Sequence, residues 1–395
     1  MRETPRKSGQ CIVTRSGEVQ LASRSSVRRY RATMNSESIA RAGFLRVGAY
    51  AAVSVAALLG ASAAAAWRLL TRGPGRTYPP YRLETSSGWK KYHGNPVFGR
   101  DLEPCFDVCV LREGALLRMW FSWWSRGAIG LTESPDGTHW SAPILVLPPN
   151  SATGWEDRVN RTVVVRRPDG FHMWYTGQTS GSSGIGHAVS EDGRIWTRTT
   201  AHPVLKADHP WEKASVMSPH VLWDASSELF RMWYSAGDQD EPDATGYATS
   251  RDGLRWTKLV SNPTFVGSGG DSWDRDKVTG CQVIPYNRQY LMFYIGFYNT
   301  RSAEIGMARS PDGVSGWRRY AGNPVITPSR DSRAWDYDAV YKPFALPTGN
   351  GWMLWYNVRR GDLEQIGLAI HRGRDLGIQG CPIRSPAVRV AATSE

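Results

Sequence analysis

The sequence is poor in cysteine and, beyond residue 68, has no useful stretch of helical apolar periodicity. Its 5 cysteines in 395 residues match no zinc-binding spacing and do not require a disulfide framework. Buried free thiols are the simpler interpretation, and one disulfide formed in an oxidising compartment is the alternative. Because the apolar residues after residue 68 do not recur with a helical period, a mainly helical domain is excluded.

The sequence also lacks a basic excess outside its N-terminal segment. The formal net charge is +12, but residues 1–77 hold 13 Lys and Arg against 3 Glu, which leaves +2 for the rest of the chain. Binding of nucleic acid requires a basic face on the folded domain. We therefore expect no nucleic-acid partner, and we interpret the basic segment as a solvated or membrane-side tail.

One long apolar run lies near the N-terminus. Residues 48–67, GAYAAVSVAALLGASAAAAW, have no charge over 20 positions, which is just enough to span the hydrocarbon core of a bilayer. The flanking arginines weakly favour an orientation with the N-terminus inside. Alternatively, translation from Met34 would make this run a cleaved secretory signal that ends in the small residues 61–63. Both interpretations place residues 78–395 outside the cytoplasm, either membrane-anchored or secreted or periplasmic.

A short phrase of the form S-x-D-G, ending in tryptophan, occurs four times. The copies are SPDGTHW (134–140), SEDGRIW (190–196), SRDGLRW (250–256) and SPDGVSGW (310–317). Their glycines are 56, 60 and 60 residues apart, and such a period indicates a repeat architecture. Asp-Gly favours a tight turn between strands, because glycine adopts positive φ without a steric penalty.

The other repeated phrases predict what lies between these turns. An aromatic strand (MWF, MWY, MWY, MFY, LWY) and a glycine-containing strand after it each occur five times, with a Trp-acid loop before them and an Asn-Pro type of loop at the end of the repeat. One repeat thus predicts four short antiparallel strands, which is one propeller blade. The segment 86–98 would complete the last blade and close the ring. We predict an all-β fold: a five-bladed β-propeller of four-stranded antiparallel blades, preceded by an N-terminal hydrophobic helix.

Composition and repeat pattern together predict the domain organisation. The expected parts are a basic, disordered segment (1–47), an anchor or signal helix (48–68), a linker (69–85), the propeller (86–375) and a C-terminal tail without a clear pattern (376–395). A unit of about 300 residues buries roughly 75% of its unfolded surface, so the propeller has a sizeable core.

Residue types that recur in every repeat are interpreted as scaffold. The tryptophans after the turns are expected to pack between blades; they are Trp140, Trp196, Trp256 and Trp317. The acidic residues of the Trp-acid loops are expected to cap or bridge a repeated loop; they are Glu156, Glu212, Asp274 and Asp336.

Residues that differ between repeats are the candidates for function, because function resides in sites that are grafted on a fold. Alignment of the inner strands places five different residues at the position that faces the central channel: Asp107, Arg161, Ser218, Gly280 and Lys342. Charges on one axis are costly to bury unless they are paired or used on a polar ligand. Two interpretations follow: an ion network of Asp107, Arg161 and Lys342 that closes the channel, or a charged cup for a hydroxylated substrate.

Further carboxylates break the repeat at the starts of the inner strands. Asp276 and Asp338 each lie three residues after a repeat tryptophan, and Asp157 has no acidic counterpart in the third repeat. Cleavage of a glycosidic bond needs one carboxyl group as acid and another as base or nucleophile. Asp107, Asp157, Asp276 and Asp338 are the candidates for these two roles, and the sequence does not say which pair fills them.

The strands MWYTG and MWYSAG, with the S-x-D-G-x-x-W turns, resemble the five-bladed propeller glycosidases over about residues 86–371. That group includes glycoside hydrolase families 43, 32, 62, 117 and 130, which act on arabinans, fructans, xylans and mannosides. Similarity to families 43 and 32 implies that Asp107 is the base or nucleophile. Met217 and Asn160 occupy the positions at which those families carry their other acids.

Two other families imply different residues. Similarity of WEDRVNR to the EDPR-like motif of family 130 implies Asp157 as the acid, with Arg161 and Lys342 binding phosphate or substrate. Similarity to family 117, which uses a histidine, implies a role for His220 or His187. A hydrogen-bonded core histidine is the alternative for His220.

The sequence predicts an exported or membrane-tethered glycoside hydrolase that acts on an extracellular or envelope polysaccharide. Its predicted substrate-binding residues are Arg161, His220 and Lys342. A carbohydrate-binding or polysaccharide-assembly propeller without catalysis is the alternative. No motif specifies a metal or cofactor, although a structural Ca²⁺ in the channel is compatible with the fold, and we expect a monomer. The sugar, the linkage, the choice between hydrolase and phosphorylase, and the stereochemistry are left open.

Overall fold

A computed structural model describes residues 84–239, 241–299, 302–329 and 331–378. The predicted basic segment, the apolar helix 48–68 and nearly all of the linker lie outside the described residues, as does most of the tail. Within the described ranges, no helix combines the length and the hydropathy needed to cross a bilayer.

The described residues form 20 strands and three short 3-10 turns. The strands are β1 Trp89–Lys91, β2 Cys105–Glu113, β3 Leu116–Trp123, β4 Ala128–Ser134, β5 Ile144–Leu147, β6 Arg158–Arg167, β7 Gly170–Thr179, β8 Ser182–Ser190, β9 Thr197–Arg198, β10 Ser215–Asp224, β11 Leu229–Gly237, β12 Pro242–Ser250, β13 Thr257–Lys258, β14 Lys277–Tyr286, β15 Gln289–Asn299, β16 Ser302–Ser310, β17 Arg318–Arg319, β18 Ala339–Thr348, β19 Gly351–Arg360 and β20 Leu363–Arg372. The 3-10 turns are Trp124–Arg126, Ser151–Thr153 and Pro210–Glu212. The predicted all-β class is confirmed.

Consecutive strands pair antiparallel in groups of four. The groups are β2–β5, β6–β9, β10–β13 and β14–β17, and β18–β20 are joined by β1. A single parallel residue pair, Ser215 with Ser183, links β10 to β8 and merges two groups into one eight-stranded sheet. The predicted pairing of the segment around Trp89 with the last repeat is therefore present.

The first strands of the groups contact one another in ring order. Strand β2 contacts β6, β6 contacts β10, β10 contacts β14, β14 contacts β18, and β18 contacts β2. The buried core fills the space between adjacent sheets and contains the largest enclosed side chains, Trp120, Trp174, Trp233 and Trp355 among them. This order closes into a ring and places the five first strands, the predicted inner strands, around one axis.

Each S-x-D-G phrase forms the same hydrogen-bonded turn. In the second copy, the Ser190 hydroxyl accepts the Gly193 N–H (2.8 Å) and donates to Asp192 (3.0 Å). The Asp192 carboxylate also accepts the N–H groups of residues 194 and 195. Gly193 has φ +74°, a left-handed conformation that glycine adopts most easily. The repeated S-x-D-G segment is therefore held by its own local hydrogen bonds.

The turns also join neighbouring sheets through the buried tryptophans of the aromatic strands. Each indole N–H donates to the turn glycine carbonyl of the next sheet, in the pairs Trp120–Gly193 (3.1 Å), Trp174–Gly253 (2.9 Å), Trp233–Gly313 (2.7 Å) and Trp355–Gly137 (2.9 Å). The last pair connects the final sheet to the first. Three of the tryptophans that follow the turns pack edge-on against these rings, in the pairs Trp140–Trp355, Trp196–Trp120 (6.4 Å) and Trp256–Trp174, whereas Trp317 packs against Phe265.

The recurrent acidic residues form buried ion pairs within each sheet. Glu212 is fully buried, accepts the Tyr234 hydroxyl (2.7 Å) and pairs with Lys258 Nζ (2.7 Å). The same arrangement of acid, aromatic-strand tyrosine and outer-strand cation occurs as Glu156–Tyr175–Arg198 and Asp274–Tyr294–Arg319. In the last sheet, Lys91 of β1 pairs with Asp336 (2.6 Å). These acidic residues are scaffold, as the repeat pattern predicts.

The described cysteines are free and buried: Cys105, Cys109 and Cys281. Burial raises the pKa of each of these thiols to about 12. They are therefore neutral at pH 7 and act as small apolar side chains.

Candidate active site

The five channel residues that the repeat alignment picks out share one backbone conformation. Each has a left-handed φ: Asp107 +57°, Arg161 +51°, Ser218 +53°, Gly280 +51° and Lys342 +50°. In every inner strand a register shift, typical of a β-bulge, falls at this residue. A non-glycine residue in this conformation is strained, and such strain is concentrated at functional sites. The bulge turns the four side chains of Asp107, Arg161, Ser218 and Lys342 toward one axis, with a glycine at the fifth position.

Hydroxyl groups of the preceding sheet hold three of these bulges in place. Ser122 Oγ accepts the Arg161 N–H (2.9 Å), and Thr176 and Ser235 do the same for Ser218 (3.0 Å) and Gly280 (2.9 Å). The Ser122 hydroxyl also donates to Asp107 Oδ2 (3.2 Å). One serine therefore positions both the carboxylate and the backbone of the neighbouring cation.

A cavity opens on this axis between the inner strands. Its cavity volume is about 30 Å³, it is partly open to solvent, and all five inner strands contribute to its wall. The bulge residues are joined there by His220, Cys281 and Gln282. A Cβ on Gly280 would lie 2.9 Å from Lys342 Cδ, so the absence of a side chain at Gly280 gives the lysine stem its path into the cavity.

Asp107 lies between two cations without a close contact to either. Its carboxylate is 3.8 Å from Arg161 Nε and 3.6 Å from Lys342 Nζ, and its side chain is only 3% exposed. Both distances exceed the usual range of a hydrogen bond, so the carboxylate is paired with the two cations by charge. Burial lowers the pKa of Lys342, the Arg161 charge lowers it further, and Asp107 opposes the shift. The ion network of the first interpretation is present, and the cavity remains beside it.

His220 lines the cavity and is held by the backbone. Its Nε2 hydrogen-bonds the Val283 carbonyl oxygen (2.8 Å). Burial lowers the pKa of His220 to about 4, so the ring is neutral at pH 7 and Nε2 donates. His187 is not part of this cavity; it hydrogen-bonds Thr199 and His172 inside its own sheet.

The three predicted acids lie at the starts of the inner strands but are not among the residues that line the cavity. Asp157 is exposed and accepts a hydrogen bond from Thr179 Oγ1 (2.5 Å). Asp276 is exposed and pairs with Arg275 Nε (3.0 Å). Asp338 accepts the Gly361 N–H (2.6 Å). The structure therefore brings Asp107, Arg161, His220 and Lys342 together, and it leaves these carboxylates at the rim.

Two glutamates that the repeat alignment does not single out belong to the same electrostatic network. Glu241, before β12, interacts with the charges of Arg161, Arg359, Lys277 and Glu364. Glu364, in β20, interacts with Asp107, Arg161 and Arg359. Burial raises the pKa of both, that of Glu241 to about 7. The available sequence signal was the acidic residue itself: Glu241 lies in a connection between strands, and Glu364 lies within β20, two residues before the repeated Ile-Gly.

The arrangement suits chemistry on an uncharged, hydroxylated group. Asp107 is an ionisable base on a cavity wall, and the two cations can donate to hydroxyl or anionic oxygens. Within the described ranges no group of three His, Cys, Asp or Glu residues is placed to hold a metal ion. The asparagine and methionine at the expected acid positions, Asn160 and Met217, are 2% and 0% exposed, and neither can donate a proton as an acid.

Known proteins share this fold and part of this sequence. Residues 123–274 match the model of the glycosyl hydrolases family 32 N-terminal domain. A family-43 glycoside hydrolase structure, described as thermostable, has a TM-score of 0.54 at 17% identity and covers 69% of this chain and 91% of its own. The chain is similar to the β-propeller glycosidases.

The matches include more than one family of β-propeller glycosidases and do not agree on a single one. A structure from family GH130 has a TM-score of 0.58 at 14% identity, and the match covers 75% of this chain and 96% of that chain. Its description states that this family of mannoside phosphorylases contains glycoside hydrolases that target beta-1,2 mannosidic linkages in Candida mannan. At such identities the likeness shows the fold alone. Rv1502 of Mycobacterium tuberculosis (strain ATCC 25618 / H37Rv), an uncharacterized protein, is 29% identical over 211 residues, and the match covers 48% of this chain and 66% of that relative. The chain thus spans just under two thirds of that relative's length.

Proposed function

We propose that the protein is a glycoside hydrolase-like enzyme with a five-bladed propeller, and that it cleaves a glycosidic bond at the channel mouth. The observation that carries the proposal is Asp107: a buried carboxylate on a strained bulge, at the wall of a cavity and 3.6–3.8 Å from two cations. The family match over residues 123–274 supports the same class of reaction.

Asp107 is the base of this proposal. Glycoside hydrolysis passes through a transition state with positive charge on the sugar ring, and a carboxylate stabilises that charge and accepts a proton from the attacking water. Ser122 fixes the orientation of this carboxylate by its hydrogen bond. Arg161 and Lys342 hold sugar hydroxyls, or an anionic group of the substrate, beside the reacting carbon.

Exposed aromatic side chains support a carbohydrate chain as substrate. Among the described residues the exposed Trp, Tyr and Phe side chains are Trp124, Tyr298 and Tyr337. Each lies at the strand ends where the inner strands begin. The backbone N–H of Trp124 donates to the Pro104 carbonyl, Arg275 donates to the Tyr298 carbonyl, and Tyr337 precedes β18. Aromatic rings contribute large contact areas at binding interfaces. A polysaccharide outside the cytoplasm, reached by export or by a membrane tether at residues 48–68, fits this surface.

The first test is a hydrolysis assay with the full chain. The purified protein is incubated with α- and β-linked furanoside and pyranoside oligosaccharides, with and without phosphate, beside the variants Asp107→Asn and Asp331→Asn. Asp331 is exposed and pairs with Arg333, two residues further along the chain (3.1 Å), so its variant is the matched control. We expect release of sugar by the parent and by Asp331→Asn, and at least a 100-fold loss in Asp107→Asn.

The other outcomes of this assay are distinct. Dependence on phosphate would identify a phosphorylase instead of a hydrolase. An Asp107→Asn variant that remains as active as the parent would refute the assigned site. No release from any oligosaccharide, with binding of one of them, would refute the enzyme and leave a carbohydrate-binding propeller.

A further inference from the structure

One hydroxyl group in the wall of the cavity has no partner. Ser218 is the bulge residue of β10, lines the cavity and is 3% exposed. Among the described residues, no group forms a hydrogen bond with its Oγ. Because a buried hydroxyl without a partner destabilises a protein, this hydroxyl is explained if a bound group completes its hydrogen bonding.

The two cations of the cavity lie on either side of this hydroxyl. In the ring of inner strands, β10 lies between β6, which carries Arg161, and β14, which carries Gly280. The stem of Lys342 passes over Gly280, since a Cβ there would lie 2.9 Å from Lys342 Cδ and 3.0 Å from its Cε. Strands β10 and β14 are the two that lie farthest from β2 in the ring. Ser218 and the lysine stem therefore belong to the wall opposite Asp107.

Two other polar side chains of the wall are already engaged. The Gln282 amide is hydrogen-bonded at both ends to the Ala345 backbone (2.6 and 2.9 Å). The His220 ring donates to the Val283 carbonyl, and burial lowers its pKa to about 4, so it carries no charge at pH 7. The side-chain donors that remain for a ligand are the Ser218 hydroxyl and the two cations.

The charges of the wall favour one further anion. Asp107 is the carboxylate that lies 3.8 Å from Arg161 and 3.6 Å from Lys342, so it faces two positive charges. The two cations repel each other, and the charge of Arg161 lowers the pKa of Lys342. Glu241 and Glu364 also interact with Arg161, but neither is among the residues that line the cavity, and burial raises the pKa of both. A second carboxylate in the cavity would balance its charge.

The size of the cavity limits which anion fits. A water-sized group needs about 10–15 Å³, so the cavity volume of about 30 Å³ holds roughly two such groups. The two oxygens of a carboxylate match this space, whereas a phosphate or sulfate group brings more oxygens. Guanidinium groups also bind carboxylates with two parallel hydrogen bonds. Because the cavity is partly open to solvent, the rest of the ligand can extend out of it.

We infer that this cavity is a subsite for the carboxylate group of an acidic sugar, so that the glycan substrate contains a uronic acid; this inference rests on the proposed function. Arg161 and Lys342 pair with the carboxylate, and the Ser218 hydroxyl donates a hydrogen bond to it. The bound carboxylate selects the substrate and takes no part in bond cleavage.

The test measures binding to the full chain by titration calorimetry. The probes are glucuronate, galacturonate and mannuronate, each beside its neutral sugar (glucose, galactose or mannose), and acetate as a free small anion. The variants are Ser218→Ala and Lys342→Met, with Lys90→Met, at an exposed lysine of β1, as the matched control. We expect at least one uronate to bind about tenfold or more tightly than its neutral sugar. Its affinity should fall about tenfold in Ser218→Ala and about 100-fold in Lys342→Met, and stay at the parent's value in Lys90→Met.

Thermal unfolding of Ser218→Ala separates binding from folding. Removal of an unpaired buried hydroxyl should leave the unfolding temperature unchanged or raise it, whereas removal of a structural hydroxyl would lower it. An unchanged affinity for the uronate in this variant would overturn the role of Ser218. If Lys342→Met does not fold, the result for Ser218→Ala still decides the inference.

The remaining outcomes refute different claims. Equal affinity for every uronate and its neutral sugar would overturn the carboxylate subsite, and cleavage of neutral oligosaccharides would then leave the proposed function standing. Binding of acetate that depends on Lys342, without preference for any uronate, would assign the cavity to a free small anion and overturn its link to the substrate. Selective binding of a uronate, with no cleavage of neutral or uronate-containing oligosaccharides, would refute the proposed function and leave the subsite.

Discussion

Acidification should destabilise the fold through His187, a buried histidine outside the cavity. Its side chain is enclosed, with the residue 2% exposed. Its Nδ1 lies 3.0 Å from the Thr199 hydroxyl, its Nε2 lies 3.2 Å from His172 Nδ1, and its ring centroid is 4.8 Å from that of Trp174. Burial lowers the pKa of His187 to about 3, His172 adds to the shift, and the charge of Asp252 opposes it weakly.

The sign and size of the effect follow from proton linkage. Between pH 6.5 and about 3 the unfolded chain binds a proton at this histidine and the folded chain does not, so stability is complete above pH 6.5 and is lost as the pH falls. At pH 5 the His187 ring is still neutral in the folded protein. The loss in the free energy of unfolding is therefore set by the 1.5 pH units between pH 5 and the ordinary pKa of histidine. At 1.36 kcal/mol per unit this is about 2 kcal/mol.

The assay is chemical denaturation of the full chain at pH 7.5 and pH 5, with the variants His187→Gln and His93→Gln. Other titrating groups, Glu241 and Glu364 included, contribute equally to parent and variant and cancel in the difference. We expect the free energy of unfolding of His187→Gln to fall by about 2 kcal/mol less than that of the parent between the two pH values. His93 is exposed, and its variant should follow the parent. An identical fall in the parent and in His187→Gln would refute the assigned neutral, buried state.

Three other substitutions test the scaffold and the bulges by the same denaturation assay. Lys258→Met leaves the buried Glu212 carboxylate without its cation and should cost about 3–5 kcal/mol; a loss under 1 kcal/mol would contradict the role of the pair. Ser122→Ala leaves the buried Arg161 N–H without its acceptor and should cost about 1–3 kcal/mol, whereas no loss would show that the bulge does not need the hydroxyl. Gly280→Ala places a Cβ 2.5 Å from Ile295 Cδ1 in a left-handed backbone and should cost roughly 2–4 kcal/mol. Gly349→Ala, with no atom within 4 Å of the added Cβ, is its control and should stay within about 0.5 kcal/mol of the parent.

The repeat pattern predicts much of this architecture because each repeat folds by the same local contacts. The S-x-D-G turn closes on itself through Ser190 and Asp192, and a pattern with purely local causes can be read in sequence. Because side chains alternate along a strand, the alignment of the repeats also identifies the residue of each inner strand that faces the channel. For that reason residues that lie far apart in sequence, such as Asp107 and Lys342, were expected at one axis, where the structure places them 3.6 Å apart.

The same reasoning could not find Glu241 or Glu364. Glu241 lies in the connection between β11 and β12, and the length of this connection differs between repeats, so a repeat alignment gives it no position. Glu364 has an aligned position in β20, but the residue at that position of β12, Asp243, pairs with Lys213 and Lys277, so an acidic residue there does not by itself indicate a site. The predicted acid Asp276 shows the opposite problem: it stands just outside β14, where the alternation of a strand no longer fixes its direction, and its side chain is 44% exposed.

The residues that contact the bulges differ between the five inner strands. The residue opposite the last position before each bulge is Ser122, Thr176, Ser235, Ile295 or Asn357. Each of the three hydroxyls accepts the backbone N–H of the bulge residue in the next sheet. Ile295 and Asn357 occupy the corresponding positions for the bulges of Lys342 and Asp107. Asn357 is fully buried, and within the described part of the chain its amide nitrogen and oxygen have no hydrogen-bond partner. A buried amide of this kind costs stability, and it occurs at one of the two interfaces that present the paired charges of the cavity. The hydrogen bond from the bulge N–H to a hydroxyl is therefore replaced at the two bulges that carry Asp107 and Lys342. This is expected if these two positions are kept for binding and chemistry at the expense of stability.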